Sequence, residues 1–277
     1  MLNIGDLAKP ATMLIEKISN AIGIIYEPRH IKKIAKAEAD ADIIKFEAKE
    51  RVKELALRTS DRMLQEEMRR QENIESIIEK AIHKLSSDAK AENIEDDWLT
   101  DFFSRSRIIS DENMQEVWAK ILAGEANSPN TYSKRTLNLL SILEKSEADL
   151  FAKLCNLHWQ IQSQILPVIF NIENEVYKKH NINFSTLSHL DSIGLINFNN
   201  LSEFELNSIK HPFVSFYGDN RYLFKLPEGV SKINLGRVMF TKTGKELSYI
   251  CNRKLDNDYL QYCIQEWQKQ NIIITRF

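Results

Sequence analysis

The spacing of apolar residues between His30 and Arg70 predicts one long helix. Apolar side chains recur there every three or four positions, as one face of an α-helix requires. Neither glycine nor proline occurs from Arg29 to Ala123, and strong helix formers predominate in the first two thirds of that range. The candidate assembly face of this helix consists of Ile34, Ala37, Ala41, Ile44, Ala48, Val52 and Leu55.

Several positions on this face are alanine, which favours assembly over a globular core. Small side chains bury little apolar surface, at about 25 cal/mol per Å², but they let helices approach closely. Glu38, Lys45 and Thr59 interrupt a strict heptad pattern. Residues 29–90 are therefore expected to form a long helical assembly region, in which the polar run from Glu66 to Asn73 separates a second helix that begins at Ile74.

A short amphipathic helix is predicted within residues 1–28. Pro10 suits the first turn of this helix, and Gly23 and Pro28 end it. Two interpretations of its apolar face stay open: it docks on the protein itself or on a neighbouring subunit, or it lies in a membrane interface. The face consists of Leu7, Leu14, Ile18, Ile22 and Ile25.

The localisation of the chain is read from its long-range hydropathy. No run of about 18 apolar residues occurs, so no helix is expected to span a bilayer. Charged residues interrupt the first 26 positions, which does not fit a signal peptide. We expect a cytoplasmic protein, with peripheral attachment at the inner membrane as the alternative.

Residues 91–160 are predicted to form a helical bundle with its own core. An aromatic group from Trp98 to Phe103 indicates that core. Asp111 is expected to start a helix that stops at Gly124, and Ser133 to cap the next one. A capping box at Ser146 is expected to start a third.

Residues 161–277 are predicted to form an α+β domain. The segment from Phe184 to Ile196 is expected to be a helix that ends at Gly194 and runs into a strand. It is followed by short strands at 213–217, 222–226 and 236–240, by a turn at 241–244 with a helix from about Lys245, and by a last strand at 272–277. This order resembles a winged-helix module. The predicted fold class is mainly α with a small antiparallel β-sheet.

The charge of the chain does not favour nucleic acid. Its net charge is −2, and the part from Glu144 onwards has 15 Lys and Arg against 14 Asp and Glu. A DNA-binding regulator is therefore only an alternative, and its candidate patch is Lys242, Lys245, Arg253 and Lys254.

Catalytic and metal-binding patterns are missing from the sequence. The three cysteines are widely separated, and the six histidines lack metal-ligand spacing. Glu112, Glu116 and Glu125 lie near Lys120 and Arg135, and ion pairs are favoured over a carboxylate site there. We expect a non-enzymatic protein with reduced cysteines and with no cofactor or metal.

Several segments resemble a bacterial domain-of-unknown-function family, numbered twenty-eight-oh-six: Leu7 to Thr12, Ile34 to Ala39, Glu95 to Phe103, Ile108 to Asp111, Met114 to Glu125 and Tyr132 to Leu137. The family motif is represented by Trp98, Trp118, Gly124, Glu125 and Arg135. In it, Trp118 is expected to be buried, and Glu125 and Arg135 to tie the next helix back. Related sequences with the Trp-Ala-x-Ile-Leu-Ala-Gly-Glu core include abortive-infection proteins of the alpha type, which implies a role in defence against phage. The resemblance brings no catalytic residues.

These observations together predict an oligomerising or partner-binding protein, with a role in anti-phage defence. The alternatives are a peripheral membrane effector that uses the N-terminal helix and a winged-helix regulator that binds DNA.

Overall fold

The computed structural model describes residues 9–23, 50–251 and 254–277, and the side chains of residues 50–53 also lie outside the described set. The chain divides into two compact units, Met1–Ser141 and Ile142–Phe277. The predicted domain limits near residues 28, 90 and 160 lie inside these units. Among the described residues the fold class is confirmed, since helices predominate and the strands pair antiparallel.

The first unit is helical. Its described elements are α1 (Lys9–Ile22), α2 (Glu50–Ile82), α3 (Asp96–Ser106), α4 (Glu112–Asn127) and α5 (Lys134–Ile142), and α5 ends at the limit between the units. A short 3-10 turn, Ala91–Asn93, precedes α3. α1 begins close to Pro10 and stops before Gly23, whose φ of 67° is the left-handed conformation that ends many helices.

The second half of α2 packs on α4. Its buried side chains are Ile74, Ile77, Ile78 and Ala81. A buried polar network fixes the register of the two helices, because the Gln115 amide donates to Asn73 Oδ1 (3.1 Å) and the Asn73 amide donates to the carbonyl of Arg107 (2.9 Å). Ser76 Oγ adds a hydrogen bond to Gln115 Oε1 at 2.8 Å. Amide groups that satisfy one another in this way allow only one alignment of the two helices.

The predicted break in this helix is wrong. α2 runs through the polar segment from Glu66 to Asn73 without interruption. Arg70 forms ion pairs with Glu66 and Glu67 on the helix itself, and Arg62 lies 3.1 Å from Glu66. Pairs at this spacing stabilise a helix surface. The helix therefore continues through the polar segment, although this segment lacks an apolar face.

The aromatic core predicted around Trp98 is confirmed. Trp98 and Phe102 stack with ring centroids 5.2 Å apart, and Trp118 meets Phe102 edge-on at 5.1 Å. All three rings are buried. The Trp98 indole N–H donates to the carbonyl of Tyr132 at 2.7 Å, so the turn before α5 is held against this core.

Gly124 does not stop α4, contrary to the prediction. α4 continues to Asn127, and the cap expected at its start is confirmed because Asp111 accepts a hydrogen bond from the amide of Met114. Gly124 instead makes room for the buried Tyr132 ring, since a Cβ at this position would lie 2.8 Å from Tyr132 Cε2. Steric access is the reason for a glycine here.

Replacing Gly124 by alanine is expected to lower the free energy of unfolding by about 1–3 kcal/mol, because the new methyl group presses on a buried ring. In a Tyr132→Ala background the same change is expected to stabilise the protein by up to about 1 kcal/mol, since alanine is the better helix former. Urea unfolding of the four proteins measures both effects. Equal effects in the two backgrounds would contradict this role of Gly124.

The second unit combines helices with three antiparallel sheets. Its helices are α6 (Lys145–Cys155), α7 (Glu175–Lys178), α8 (Phe184–Ser192), α9 (Lys242–Ser248) and α10 (Asn257–Gln268). Its strands are β1 (His158–Ile161), β2 (Gln164–Pro167), β3 (Ile196–Phe198), β4 (Phe204–Leu206), β5 (Phe213–Tyr217), β6 (Asn220–Lys225), β7 (Ile233–Gly236), β8 (Val238–Phe240) and β9 (Ile273–Arg276).

The largest sheet has the strand order β2-β1-β5-β6-β9, and β3-β8 and β4-β7 form two smaller pairs. One face of the large sheet is aromatic and buried. Trp159 from β1 stacks on Tyr217 at 5.3 Å and meets Trp267 of α10 edge-on at 5.0 Å. Phe224 lies 5.1 Å from the same Trp267 ring. This aromatic layer is the core between the sheet and α10.

Several predicted elements of this unit shift in the structure. The box that caps α6 joins Glu144 to Glu147, two residues before the expected Ser146, and α9 begins at Lys242. The expected strand at 236–240 is divided into β7 and β8, which pair with different partners. The helix-strand order of the predicted winged-helix module is present, but four strands lie in the chain between the paired strands β3 and β8. The likeness to that module stays a prediction.

Candidate functional site

The described side chains in the first half of α2 are exposed to solvent. Every side chain from Glu54 to Gln65 is exposed. This segment nevertheless presents large apolar side chains to solvent, with exposed fractions from 38% to 60%. They are Leu55, Leu57, Met63, Leu64 and Met68. We call these five residues the α2 apolar surface.

The α2 apolar surface forms two strips. Leu57, Leu64 and Met68 follow one another at intervals of seven and four residues, whereas Leu55 and Met63 are eight residues apart. At about 100° per residue the centres of the two strips lie roughly 160° apart around the helix. The exposed segment therefore offers apolar contacts on two opposite sides.

Most of the predicted assembly face lies outside the described residues. This applies to Ile34, Ala37, Ala41, Ile44 and Ala48, and to the side chain of Val52. Leu55 is described, and it is exposed as part of the α2 apolar surface.

The described part of the predicted membrane or partner face of α1 packs on its own unit, which is one of the two interpretations left open by the sequence. Leu14 and Ile18 are buried within the first unit, where α1 packs on α3 and on the 3-10 turn. Ile22 is half-buried, and Leu7 and Ile25 lie outside the described residues. In this conformation the centre of the face covers its own unit, because apolar residues at helical spacing also suit an internal contact.

The motif residues form a structural joint between α4 and α5. Trp118 is buried, as predicted. The buried Glu125 carboxylate accepts hydrogen bonds from the amides of Asn130 (2.6 Å) and Tyr132 (2.9 Å). Arg135 is exposed, so the tie between the helices runs through these backbone amides and not through Arg135, because the turn brings its own N–H groups to the carboxylate.

Ion pairs replace the carboxylate site considered from the sequence. Glu116 lies 2.9 Å from Lys84 of the segment that follows α2, and Glu125 is occupied by the turn. Within the described ranges, no group of three or more His, Cys, Asp or Glu is arranged to hold a metal ion.

The candidate nucleic-acid patch is divided between two places. Lys242 and Lys245 lie on α9, and Lys242 Nζ is 3.9 Å from the carboxylate of the buried Glu246. Lys254 lines a groove beside the start of α10. Arg253 lies outside the described residues.

The groove beside the start of α10 is a concave feature of the second unit. It is open to solvent, has a volume of about 530 Å³, and is lined by Ala152, Lys153, Asn156, His180, Lys254, Leu255, Asp256, Asn257 and Asp258. Its central carboxylate, Asp256, caps α10 by accepting from the amides of Asp258 and Tyr259. His180 Nε2 lies 2.6 Å from Asp256 Oδ2, and Lys179 Nζ lies 2.8 Å from the same carboxylate.

The pKa of Asp256 reflects these contacts. Burial by itself would raise the pKa, but hydrogen bonds from Lys179, His180 and the Tyr259 amide outweigh it and lower the pKa from 3.8 to about 2. None of the described lining residues is Ser, Thr or Cys. The cluster therefore acts as an electrostatic clamp between the end of α7 and the start of α10, and sequence analysis missed it because its members are 76 positions apart.

Two of the three cysteines, Cys155 and Cys263, are buried, and Cys251 is half-buried. None of the three forms a disulfide bond. Burial raises the pKa of the Cys263 thiol well above its ordinary value. The thiol form is a poor nucleophile, in agreement with the structural role predicted for it.

Replacing Asp256 by asparagine removes the charge and keeps a side-chain oxygen for the α10 cap. Because the folded pKa lies below the unfolded value, the charge of Asp256 stabilises the fold above about pH 4 and loses this effect as the pH falls towards 2. The difference in unfolding midpoint between the wild type and Asp256→Asn is expected to shrink over that interval. Asp219→Asn is the control, since Asp219 is exposed in the turn between β5 and β6 and does not line the groove, and a pH-independent difference for Asp256→Asn would contradict the clamp.

Comparison with known proteins adds one match. No curated protein and no solved structure matches the chain. Within the described residues no helix is long and apolar enough to cross a membrane. A family model described as a protein of unknown function (DUF2806) matches residues 57–264, from the exposed half of α2 to α10. Because this match covers most of the chain and parts of both units, the protein belongs to the DUF2806 family.

Proposed function

We propose that this protein functions by assembly, with copies of the chain associating through the exposed half of α2. The observation that carries the proposal is the α2 apolar surface. In proteins most of the stability of a helix comes from packing of its apolar face. Contacts from further helices would bury the α2 apolar surface, as the described residues of the first unit bury the second half of α2.

The energetics favour association. Full burial of a Leu or Met side chain contributes about 1.5–3 kcal/mol, and each copy offers five such side chains, each already partly covered by its own helix. Because the two strips face opposite sides, one partner helix covers only one of them. We therefore infer a bundle with more than two helices, in which Arg58 and Arg62 keep their intrahelical partners Glu54 and Glu66 at the rim.

The full chain is expected to elute as an oligomer in size-exclusion chromatography with light scattering. The variant Leu57→Glu/Leu64→Glu/Met68→Glu is expected to shift to the mass of one chain, because each change places a charge in the proposed contact. All three side chains are exposed in the single chain, so the thermal unfolding of the monomer should be little changed.

Leu201→Glu is the matched control, since Leu201 is 96% exposed and lies in a loop of the second unit. It is expected to keep the oligomer. A wild type that stays monomeric at micromolar concentrations, or a triple variant with the wild-type mass, would contradict assembly through α2.

We further propose that the assembly acts in bacterial defence against phage. The support is the resemblance of the core from Trp118 to Glu125 to abortive-infection proteins of the alpha type. In such a role, the joint between α4 and α5 is the shared structural element, and α2 supplies the assembly.

A bacterial host that expresses the protein is expected to lower the plating efficiency of some members of a phage panel by at least tenfold. The triple α2 variant is expected to lose this protection, and Leu201→Glu to retain it. Protection by the monomeric variant equal to that of the wild type would separate defence from assembly, and full plating efficiency for every phage would contradict the defence role.

A further inference from the structure

Among the described residues, one face of the large sheet in the second unit is not part of its core. Side chains alternate along β5, β6 and β9, and one set points to the aromatic core around Trp159. The other set is exposed or half-buried, and the strand register places its members side by side. We call it the outer face, and it comprises Val214, Phe216, Arg221, Leu223, Lys225, Ile273, Thr275 and Phe277.

One row across the outer face has a distinctive order. Phe216 of β5 lies opposite Arg221 of β6. The amide of Phe277 donates to the carbonyl of the same Arg221 at 3.3 Å, so Phe277 continues the row on the other side. Strands are about 4.8 Å apart, and the two phenyl rings are therefore roughly 10 Å apart with a guanidinium between them.

The Arg221 side chain is already placed over a ring. Its Cζ lies 6.0 Å from the centroid of Phe216, at the range of a cation–π contact. Phe277 is 65% exposed, and Leu223 and Ile273 beside the row are 37% and 61% exposed. The row thus combines the exposed Phe277 ring and the half-buried Phe216 ring with a charge that is not held by a described ion pair.

The ionisable side chains of the outer face are all basic. Arg221 and Lys225 are its ionisable members, and among the described residues of β5, β6 and β9 on this face none is acidic. The acidic residue that follows β5 in the chain, Asp219, lies in the turn to β6. A ligand of complementary chemistry carries negative charge and flat apolar groups at a spacing of several ångströms.

We propose that the outer face is a binding platform for single-stranded nucleic acid. Two bases stack on Phe216 and Phe277, and Arg221 contacts the phosphate between them, with Lys225 as a second phosphate contact. Stacking on aromatic side chains and contact with a basic side chain are the two elements by which proteins bind single strands without sequence preference.

The observations favour this ligand over an acidic peptide or a second copy of the chain. A peptide added to the free edge of β9 would use backbone hydrogen bonds, and it would not need the rings on both sides of Arg221. A second copy would bring Arg221 and Lys225 against the same charges. The platform is also separate from Lys242 and Lys254, which belong to α9 and to the groove.

Fluorescence anisotropy of the full-length protein with labelled oligothymidylate and oligouridylate tests the proposal. Binding is expected at about 50 mM salt and should weaken as salt rises. Phe216→Ala and Phe277→Ala are each expected to raise the Kd about fivefold or more, since each removes a stacking partner. Arg221→Ala should raise the Kd and lower the slope of log K against log salt by about 0.7, the value for one phosphate of a single strand.

Two control variants match these changes. Phe184→Ala removes a phenylalanine that is 52% exposed on α8, and Lys242→Ala removes an exposed lysine on α9. Both are expected to keep the wild-type Kd, and circular dichroism melting confirms that each variant is folded. The same titration with the monomeric α2 variant separates the platform from assembly, because the platform lies within one chain.

Several outcomes would overturn the platform. They are the absence of binding to either oligonucleotide at 50 mM salt, equal binding of a duplex of the same length, and equal competition by polyglutamate. Loss of binding in Lys242→Ala with no change in Phe216→Ala and Phe277→Ala would place the contact on α9 and would also contradict the proposal.

Discussion

The burial of the second half of α2 against α4 is the contact on which the first unit depends. Ile74, Ile77, Ile78 and Ala81 supply its apolar free energy, and Asn73 with Gln115 excludes other alignments. Once that half is fixed, helix propagation adds one backbone hydrogen bond for each further residue that it orders. The same contact thus extends a 33-residue helix in which the side chains from Glu54 to Gln65 are exposed. The proposed assembly is a consequence of this asymmetry.

A second constraint acts on the sheet of the second unit. The aromatic layer on one side of the strands is formed by the rings of Trp159, Tyr217, Phe224 and Trp267. The two-residue period of a strand then sends every other side chain to the opposite face. The described core does not pack on that face, yet the face contains Phe216, Leu223 and Phe277. Neighbouring apolar side chains that form an exposed patch indicate a binding surface.

Local signals in the sequence predicted the helical elements well. Asp111, Pro10 and Gly23 act through backbone hydrogen bonds and dihedral preferences within a few residues, and such effects are readable without a structure. The prediction that Gly124 ends α4 is wrong, because the glycine makes room for Tyr132, and this contact forms only after the chain turns back. The prediction that the polar run interrupts α2 is wrong, because intrahelical ion pairs replace apolar contacts without ending the helix.

Features that depend on contacts between distant parts of the chain could not be predicted from the sequence. The β1-β2 hairpin was missed, since its turn uses Gln162 at a positive φ of 54° in place of the glycine or asparagine that normally signals one. The Asp256 clamp joins residues far apart in the chain, and the outer face exists only once the register of β5, β6 and β9 is known. In the sequence, Arg221 is one cation and Phe277 one aromatic residue among many. Strand pairing makes them neighbours. The chemistry of a ligand can be inferred only from neighbouring side chains at a known spacing.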